Sequence, residues 1–550
     1  MKTIFRFGYL TLLTTLLSLT QTVNAQTADK SFEPQDRPKL VVGIVVDQMR
    51  YDYLTQYWEN FGNDGFKRLV NEGYSFANNH FNYFPTYTGP GHAAIYSGAT
   101  PSVNGIIGNS WFDRDLGRNM YVVEDTSVSG VGGKGEVGQM SPKNLTSTTF
   151  IDELKSTDGE SKVVAVSLKD RGAVLAAGHV GDMAFWYDSD QGNFISSTWY
   201  MDDLPAWVDE FNSEGQARSY SDKTWETLLP IDQYTAGNPD DSPYEGTFDW
   251  EEKPVFPHEF GKAGGNAYWT VQYSPFGNTL VKDFATRAIE EEKLGEDKIT
   301  DVLAISFSST DYIGHEYGPH SVELQDTYLR LDRDLADLFE KLDEKVGKGN
   351  YMVFLTSDHG VVDVPAELED RGLPGGYFDF STNARVLIKH LSEKYGNENW
   401  IRALSNQQIY LNHRLIAEKD ISLNEIQEEI ADFLLQFEGV LSTNTANNFK
   451  NESYDTGFQA MYQRGFYYGR SGDVFVQLKP GWLIRKSRTG TSHGSTYNYD
   501  THVPMLLYGW GIPQGVSYQK TTITQLAPTI SNLLQIPMPS GTEAKPLKFE

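Results

Sequence analysis

The sequence predicts an α/β fold: a doubly wound, mostly parallel sheet sandwiched by helices, with inserted subdomains. Three observations lead there. Apolar, β-branched runs recur and end in a charged residue: "LVVGIVVD" at Asp47, "DVLAISFSSTD" at Asp311, and "YMVFLTSDHG" at Asp358 and His359, with "KVVAVSLKDR" ending on Lys169 and Arg171 instead. Continuous apolar strands suit a parallel sheet covered on both faces. Between them lie helical patterns, and strands alternating with helices imply a sandwich whose ligands bind beyond the carboxyl ends of the strands.

The helices follow in order. "TFIDELKS" and "LVKDFATRAIEEEKL" have helical periodicity. Over 321–345, Leu324, Tyr328, Leu331, Leu335, Leu338 and Leu342 recur at spacings of four and three, one apolar stripe for a sheet face. Two stretches break the alternation. Six of the eleven tryptophans fall between Trp186 and Trp269, so about residues 180–280 are expected as an ordered insertion, a possible lid over the site or a purely structural excursion. A second insertion is expected at about 395–450, where "SLNEIQEEIADFLLQF" reads as a peripheral helix. Residues 26–550 are otherwise expected to form a single catalytic domain.

The first 25 residues read as a secretory signal peptide: Lys2 and Arg6, an apolar-leaning run from Leu10 to Leu19, and a small-residue ending at Ala25. Cleavage near Ala25 would place the mature protein in the periplasm or outside the cell. No later stretch approaches the roughly 18 uninterrupted apolar residues of a membrane span. The chain has no cysteine, so an exported form must rely on core packing or bound metal rather than cross-links. The formal charge of −28 argues against nucleic acid and anionic membranes as partners. It does not exclude an anionic substrate, because bound cations can reverse the local potential.

The acidic and histidine positions form a pattern. Asp311 and His315 are four apart, so one helical turn aims both at one point. Asp358 and His359 are adjacent at a strand end. Asp47 adds a third carboxylate, and His493, in "TSHGSTYNYD", a third imidazole. Any one of these, "DHG" above all, is as readily a helix cap or a core residue. Six at predicted neighbouring strand ends point to metal. Mixed oxygen and nitrogen ligands favour Zn²⁺ or a similar transition metal, and six are too many for one catalytic zinc, which keeps about three protein ligands and an open position. Two ions are therefore expected.

In "NYFPTYTGPGHAAIYSG" a threonine stands where a turn enters an apolar helix. A hydroxyl is a weak nucleophile until a base or metal activates it. At a helix start the backbone N–H groups and dipole favour an anion. Gly89 and Gly91 allow close approach, and Pro90 suits a first turn. Thr88 is the candidate nucleophile. Thr86 competes, but it precedes the turn and is assigned a supporting role. Lys169 and Arg171 are two apart, so an extended segment would face both the same way. The alternative for this pair is an exposed basic turn.

Together "TYTGPGH", "GNSW", "KDR", "DYIGHEYGP", "SDHG" and "HGS", after Asp47, resemble the alkaline phosphatase superfamily. The closer resemblance is to the secreted, threonine-nucleophile, phosphate-irrepressible alkaline phosphatases (PafA-type). It covers nearly all of the chain after the leader, and no motif position departs from the pattern. The resemblance implies an alkaline phosphatase-like fold and one zinc on Asp311, His315 and His493. It implies a second zinc on Asp47, Asp358 and His359, with Thr88 as a further ligand. Asn109, Lys169 and Arg171 would contact the phosphoryl oxygens. The implied activity is hydrolysis of small-molecule phosphate monoesters through a phosphothreonine. The chain is expected to be a monomer.

The physics of the residues is compatible. A monoester spreads two negative charges over its nonbridging oxygens, where positioned cations count most. The nearest alternative is a phosphodiesterase or nucleotide pyrophosphatase on the same scaffold. A diester carries one charge and an extra organic group, so the Lys169 and Arg171 pair favours monoesters. A sulfatase lacks its cysteine here, and a cytoplasmic phosphoglycerate mutase would not carry the leader. A binding protein that has lost turnover would not need an intact nucleophile.

Overall fold

In a computed structural model the described residues are 37–265 and 267–549. The expected signal peptide lies outside them. The main sheet has ten strands: β1 (Leu40–Val46), β2 (Tyr74–Phe76), β3 (Gly130–Val131), β4 (Val163–Ser167), β5 (Met183–Asp188), β6 (Asn193–Ser197), β7 (Asp301–Phe307), β8 (Tyr351–Thr356), β9 (Met505–Gly509) and β10 (Gly515–Ser517). Their spatial order is β10-β2-β9-β8-β1-β7-β4-β5-β6-β3. The central five, from β8 to β5, run parallel. β9 pairs antiparallel with both β8 and β2, and β6 antiparallel with β5. The expected fold is thus observed, with antiparallel strands confined to the flanks.

Alternation along β1 shows why both faces are covered. Val42, Ile44 and Val46 face a layer built by α4 (Phe276–Glu291) and α6 (Val322–Leu342). Val41 and Val45 face the opposite layer. That layer holds α1 (Thr88–Ser97), α2 (Phe150–Asp158), α3 (Asp170–Ala177) and α8 (Leu526–Leu534). The stripe from Leu324 to Leu342 is at most 1% exposed at all six positions. Its helix starts where the Ser321 hydroxyl accepts from Leu324 N–H, and α2 starts with a capping box at Thr149 and Asp152.

The tryptophan-rich stretch differs from its expected bounds. Residues 183–197 are β5 and β6, so Trp186 belongs to the main sheet and carries a buried ring. The part beyond lies on α6 and on α5 (Ser309–Tyr317). Trp225 Nε1 donates to Asp326 at 2.6 Å, and the buried His258 sits between Glu251 (2.8 Å) and Glu323 (3.1 Å). Around 395–450 the predicted helix is α7 (Leu423–Leu434). It covers a four-stranded antiparallel sheet of residues 401–405, 408–411, 474–478 and 440–445. One of those strands comes from beyond the expected insertion, a long-range pairing that local periodicity does not reveal.

Candidate metal and phosphoryl-transfer site

Because β8, β1, β7 and β4 are parallel neighbours, their carboxyl ends share one edge. Asp47 follows β1. Asp311 and His315 lie on α5 just after β7. Asp358 and His359 follow β8, and Lys169 follows β4. His493 arrives from the loop before β9. The structure brings all six expected ligands together. His315 Nε2 is 3.2 Å and His493 Nε2 3.6 Å from Asp311 Oδ1, and His359 Nε2 is 3.4 Å from Asp47 Oδ1 and 3.8 Å from Asp358 Oδ2. The ligand atoms of Asp47, Asp358 and His359 lie within 4.8 Å of one another, and so do those of Asp311, His359 and His493. His359 therefore stands between the two expected sets, its ring stacked on His493 with centroids 3.4 Å apart.

Each imidazole is held the same way. Nδ1–H of His315 donates to the Thr491 carbonyl (2.8 Å), that of His359 to Gly360 (2.9 Å), and that of His493 to Thr86 (2.8 Å). This fixes the tautomer and leaves three Nε2 lone pairs turned toward carboxylates, the outer-shell arrangement of metal-binding histidines. Asp47 Oδ1, Asp358 Oδ2 and His359 Nε2 are buried without any hydrogen-bond partner. Buried polar atoms are otherwise nearly always paired. Three unpaired acceptors in one place fit a cation, and the donor chemistry fits zinc.

The electrostatics agree. Burial first, then Asp311 and Asp358, push the Asp47 carboxyl well above the usual range. Burial also opposes ionisation of Asp311, yet His315 and Lys169 outweigh it and hold that carboxyl well below. Burial lowers His359 and His493, which keeps both rings neutral and able to ligate.

Thr88 begins α1 and is 1% exposed. The preceding Tyr87 is extended, so the chain turns into the helix at Thr88 itself. A Cβ on Gly91 would stand 2.3 Å from the Asp358 carbonyl, so only glycine lets α1 approach the β8 end this closely. Gly89 N–H donates to Asn109 Oδ1 at 2.7 Å, tying Asn109 to the same turn. The Thr86 hydroxyl donates to the Ser495 carbonyl at 2.8 Å while its own carbonyl receives His493.

Lys169 Nζ lies 2.6 Å from both Asp47 and Asp311, and Arg171 Nη1 donates to the Tyr121 hydroxyl at 3.0 Å. The extended geometry expected for this pair is not what forms. Lys169 is the N-cap of α3 and Arg171 lies in its first turn, because Asp170 and the small residues after it start a helix directly behind β4. Burial first, and the neighbouring Arg171 charge with it, oppose protonation of Lys169, but Asp311 and Asp47 outweigh them and hold it charged.

Three residues of the site escape the sequence reading. Gln48, held at φ 66°, donates from its side chain to Asp311 at 2.5 Å and from its backbone to Asp358 at 3.2 Å. A left-handed non-glycine residue beside a ligand is a strained position of the kind found at functional sites. His92, one helical turn after Thr88, donates from Nδ1 to the Thr88 carbonyl (3.0 Å) and lies 3.4 Å from Asp358 Oδ2. Its i+4 spacing was the available signal. Tyr121 offered none.

A family model described as type I phosphodiesterase / nucleotide pyrophosphatase matches residues 41–502. The chain belongs to this family. Among its relatives is alkaline phosphatase PafA of Elizabethkingia meningoseptica, 43% identical over 514 residues, 93% of this chain and 94% of that one. Alkaline phosphatase PhoV of Synechococcus elongatus is 44% identical over 516 residues, 92% of each chain. A Myroides odoratus protein named calcium-transporting ATPase is 43% identical over 521 residues, 94% and 95% of the two chains. A crystal structure of wild-type alkaline phosphatase PafA matches with a TM-score of 0.89 at 43% identity, covering 93% of this chain and 98% of that one. Within the phosphodiesterase family the large mixed sheet is thus common ground with PafA. Among the described residues no helix is long and apolar enough to cross a membrane.

Proposed function

We propose that this chain is an alkaline phosphatase: a phosphate monoester hydrolase working through a phosphothreonine at a two-zinc site. The carrying observation is the set of three imidazoles, each donating Nδ1–H to a carbonyl and turning Nε2 toward Asp47, Asp311 or Asp358 beside the helix start at Thr88. Asp311, His315 and His493 would hold one zinc, and Asp47, Asp358 and His359 the other, with Thr88 as a further ligand. When bound, such ions supply an activated oxygen at neutral pH and neutralise charge on attacking and leaving oxygens. The relatives named alkaline phosphatase support the same activity.

The chain's own residues do the rest. Thr88 Oγ attacks phosphorus in line, forming the Oγ–P bond as the bond to the alcohol oxygen breaks. Water then forms a new O–P bond, the Thr88 bond breaks, and inorganic phosphate leaves. Asn109, Lys169 and Arg171 hold the nonbridging oxygens. Arg171 offers a planar fork and Lys169 a compact charge. Lys169 also shields the two carboxylates it touches from each other. The leader motif supports a periplasmic or secreted enzyme.

The test is kcat/KM for a monoester against a diester with the same leaving group, on zinc-loaded protein. A large monoester preference is expected. A diester preference would make the chain a phosphodiesterase and the basic pair structural.

A further inference from the structure

A group of carboxylates gathers where the tryptophan-rich stretch meets α6 and a short helix, Pro365–Asp370. Glu245 comes from the stretch, Glu323 from the first turn of α6 and Glu367 from the short helix. All three are at most 5% exposed. Burial first, then Glu323, Asp240, Asp241 and Glu367, push the Glu245 carboxyl up to about 11. These four are therefore its close electrostatic neighbours.

Four buried carboxylate oxygens here have no hydrogen-bond partner: both of Glu245, Oε2 of Glu323 and Oε2 of Glu367. The cations nearby are spent elsewhere. His258 sits between Glu251 and Glu323 Oε1, Arg371 lies 3.4 Å from Glu367 Oε1, and Lys253 pairs with Asp241. Buried charges are otherwise paired or bound to metal. Asp47 Oδ1 and Asp358 Oδ2 at the strand ends are buried and unpaired in the same way. A single proton on Glu245 would bridge to one neighbouring oxygen and leave the rest unanswered. A cation held by both Glu245 oxygens and Glu323 Oε2 answers three at once.

The donor set names the ion. It is all oxygen, because both nitrogens of His258 are already engaged. That sets it apart from the mixed donors that suit zinc. Among the described residues only the strand-end sets bring three such ligand atoms within 4.8 Å of one another. This group is wider, so at most two of its side chains touch one ion, and carbonyl or water oxygens complete the shell. Ca²⁺ accepts about six to eight oxygens in such loose arrangements, whereas Mg²⁺ demands a tight octahedron.

We propose that Glu245 and Glu323 bind a calcium ion, at a site separate from the strand ends. Gly246 N–H donates to the Glu316 carbonyl at 2.9 Å, and Gly490 N–H to the Tyr244 carbonyl at 2.8 Å. Calcium at Glu245 therefore braces the helix end that carries His315 and the loop that carries His493.

The test follows the zinc-loaded full chain in calcium-free buffer, in about 5 mM CaCl2 and in about 5 mM MgCl2. Calorimetric titration with CaCl2 should show a binding site in wild type and none in Glu245→Gln, with zinc content equal by elemental analysis. CaCl2 should raise the wild-type Tm by about 2–4 °C, and MgCl2 much less. Glu245→Gln keeps the shape and removes a repelling charge. Without calcium it should melt no lower than wild type, and calcium should not move it. Glu323→Gln should lose the calcium shift as well. A wild-type chain that binds no calcium and melts alike in all three buffers overturns the site, and so does an undiminished calcium shift in both variants. An equal shift with MgCl2 overturns the choice of calcium. The readouts are metal binding and melting, so these failures leave the phosphatase reading standing.

Discussion

The Arg171 guanidinium rests on the Tyr121 hydroxyl, Nη1 to oxygen 3.0 Å, and that hydroxyl donates onward to Asp170. Tyr121 thus orients the Arg171 guanidinium. Hydrogen bonds to charged groups contribute about 1.5–3 kcal/mol, so Tyr121→Phe should lower monoester kcat/KM about tenfold. Diester turnover should fall much less. Equal losses on both esters would mean that Arg171 does not serve the second phosphate charge.

Thr88→Ala should remove turnover by about a thousandfold or more, as expected when a covalent nucleophile is lost. Metal content by elemental analysis should be unchanged, because the six proposed Asp and His ligands remain. Thr88→Ser should restore part of the rate. Substantial activity in the alanine variant would redirect attention to Thr86, although that hydroxyl is already donated to Ser495.

Gly91 is a steric requirement. An added methyl would meet the Asp358 carbonyl at 2.3 Å, backbone that cannot turn away. Gly91→Ala should push α1 off the β8 end, at about 1–3 kcal/mol of overpacking. Misplacing Thr88 by as little as about 1 Å should cost roughly a hundredfold in rate. A variant with wild-type kcat and melting temperature would show that α1 has slack here.

A strong chelator should abolish activity and lower Tm, and added zinc should restore both. Without a cation, Asp47, Asp311 and Asp358 are buried together, and the Lys169 ammonium contacts only the first two of them. Ions that bind only the folded chain stabilise it by mass action. Full activity after verified metal removal would exclude the metal site as catalytic.

Away from the site, the His258 imidazole is buried. Burial opposes its charge, but Glu251 and Glu323 outweigh that and raise its pKa from 6.5 to about 9. Its charged form is favoured in the folded state, so the stabilisation is complete below about pH 6.5 and is lost as pH rises through about 9. The shift corresponds to about 3 kcal/mol. Hydrogen exchange around residues 240–260 should therefore speed up between those pH values beyond its intrinsic base catalysis. His258→Gln should flatten the dependence, and an unchanged profile in that variant would refute the link.

Much of this was legible in the sequence because it is local. Strand ends that carry Asp47, Asp311, Asp358 and His359 announce themselves, and a parallel sheet then places them on one edge. Asp311 and His315 are one turn apart on a helix that forms as expected. What stayed hidden is long-range or conformational. Gln48 matters through a left-handed backbone and a partner 263 residues away, and Tyr121 through a hairpin that folds back on Arg171. The Lys169 and Arg171 geometry was misread because a helix begins one residue earlier than an extended reading allows. The β5–β6 hairpin was hidden among tryptophans that also build the neighbouring insertion.

The placement of β9 sets a timetable for the newborn chain. β2, made early, finds its main-sheet partners only in β9 and β10, both beyond residue 504. At about 5–20 residues per second, β2 waits roughly 20–90 s after synthesis for a neighbour. Until then β8 also lacks its outer partner, and the two edges are free to pair with other chains. A ribosome that stops short of β9 therefore releases a chain that is adhesive rather than merely shortened. His493 lies just upstream of that strand, so hydrolysis too should begin only once the tail is in place.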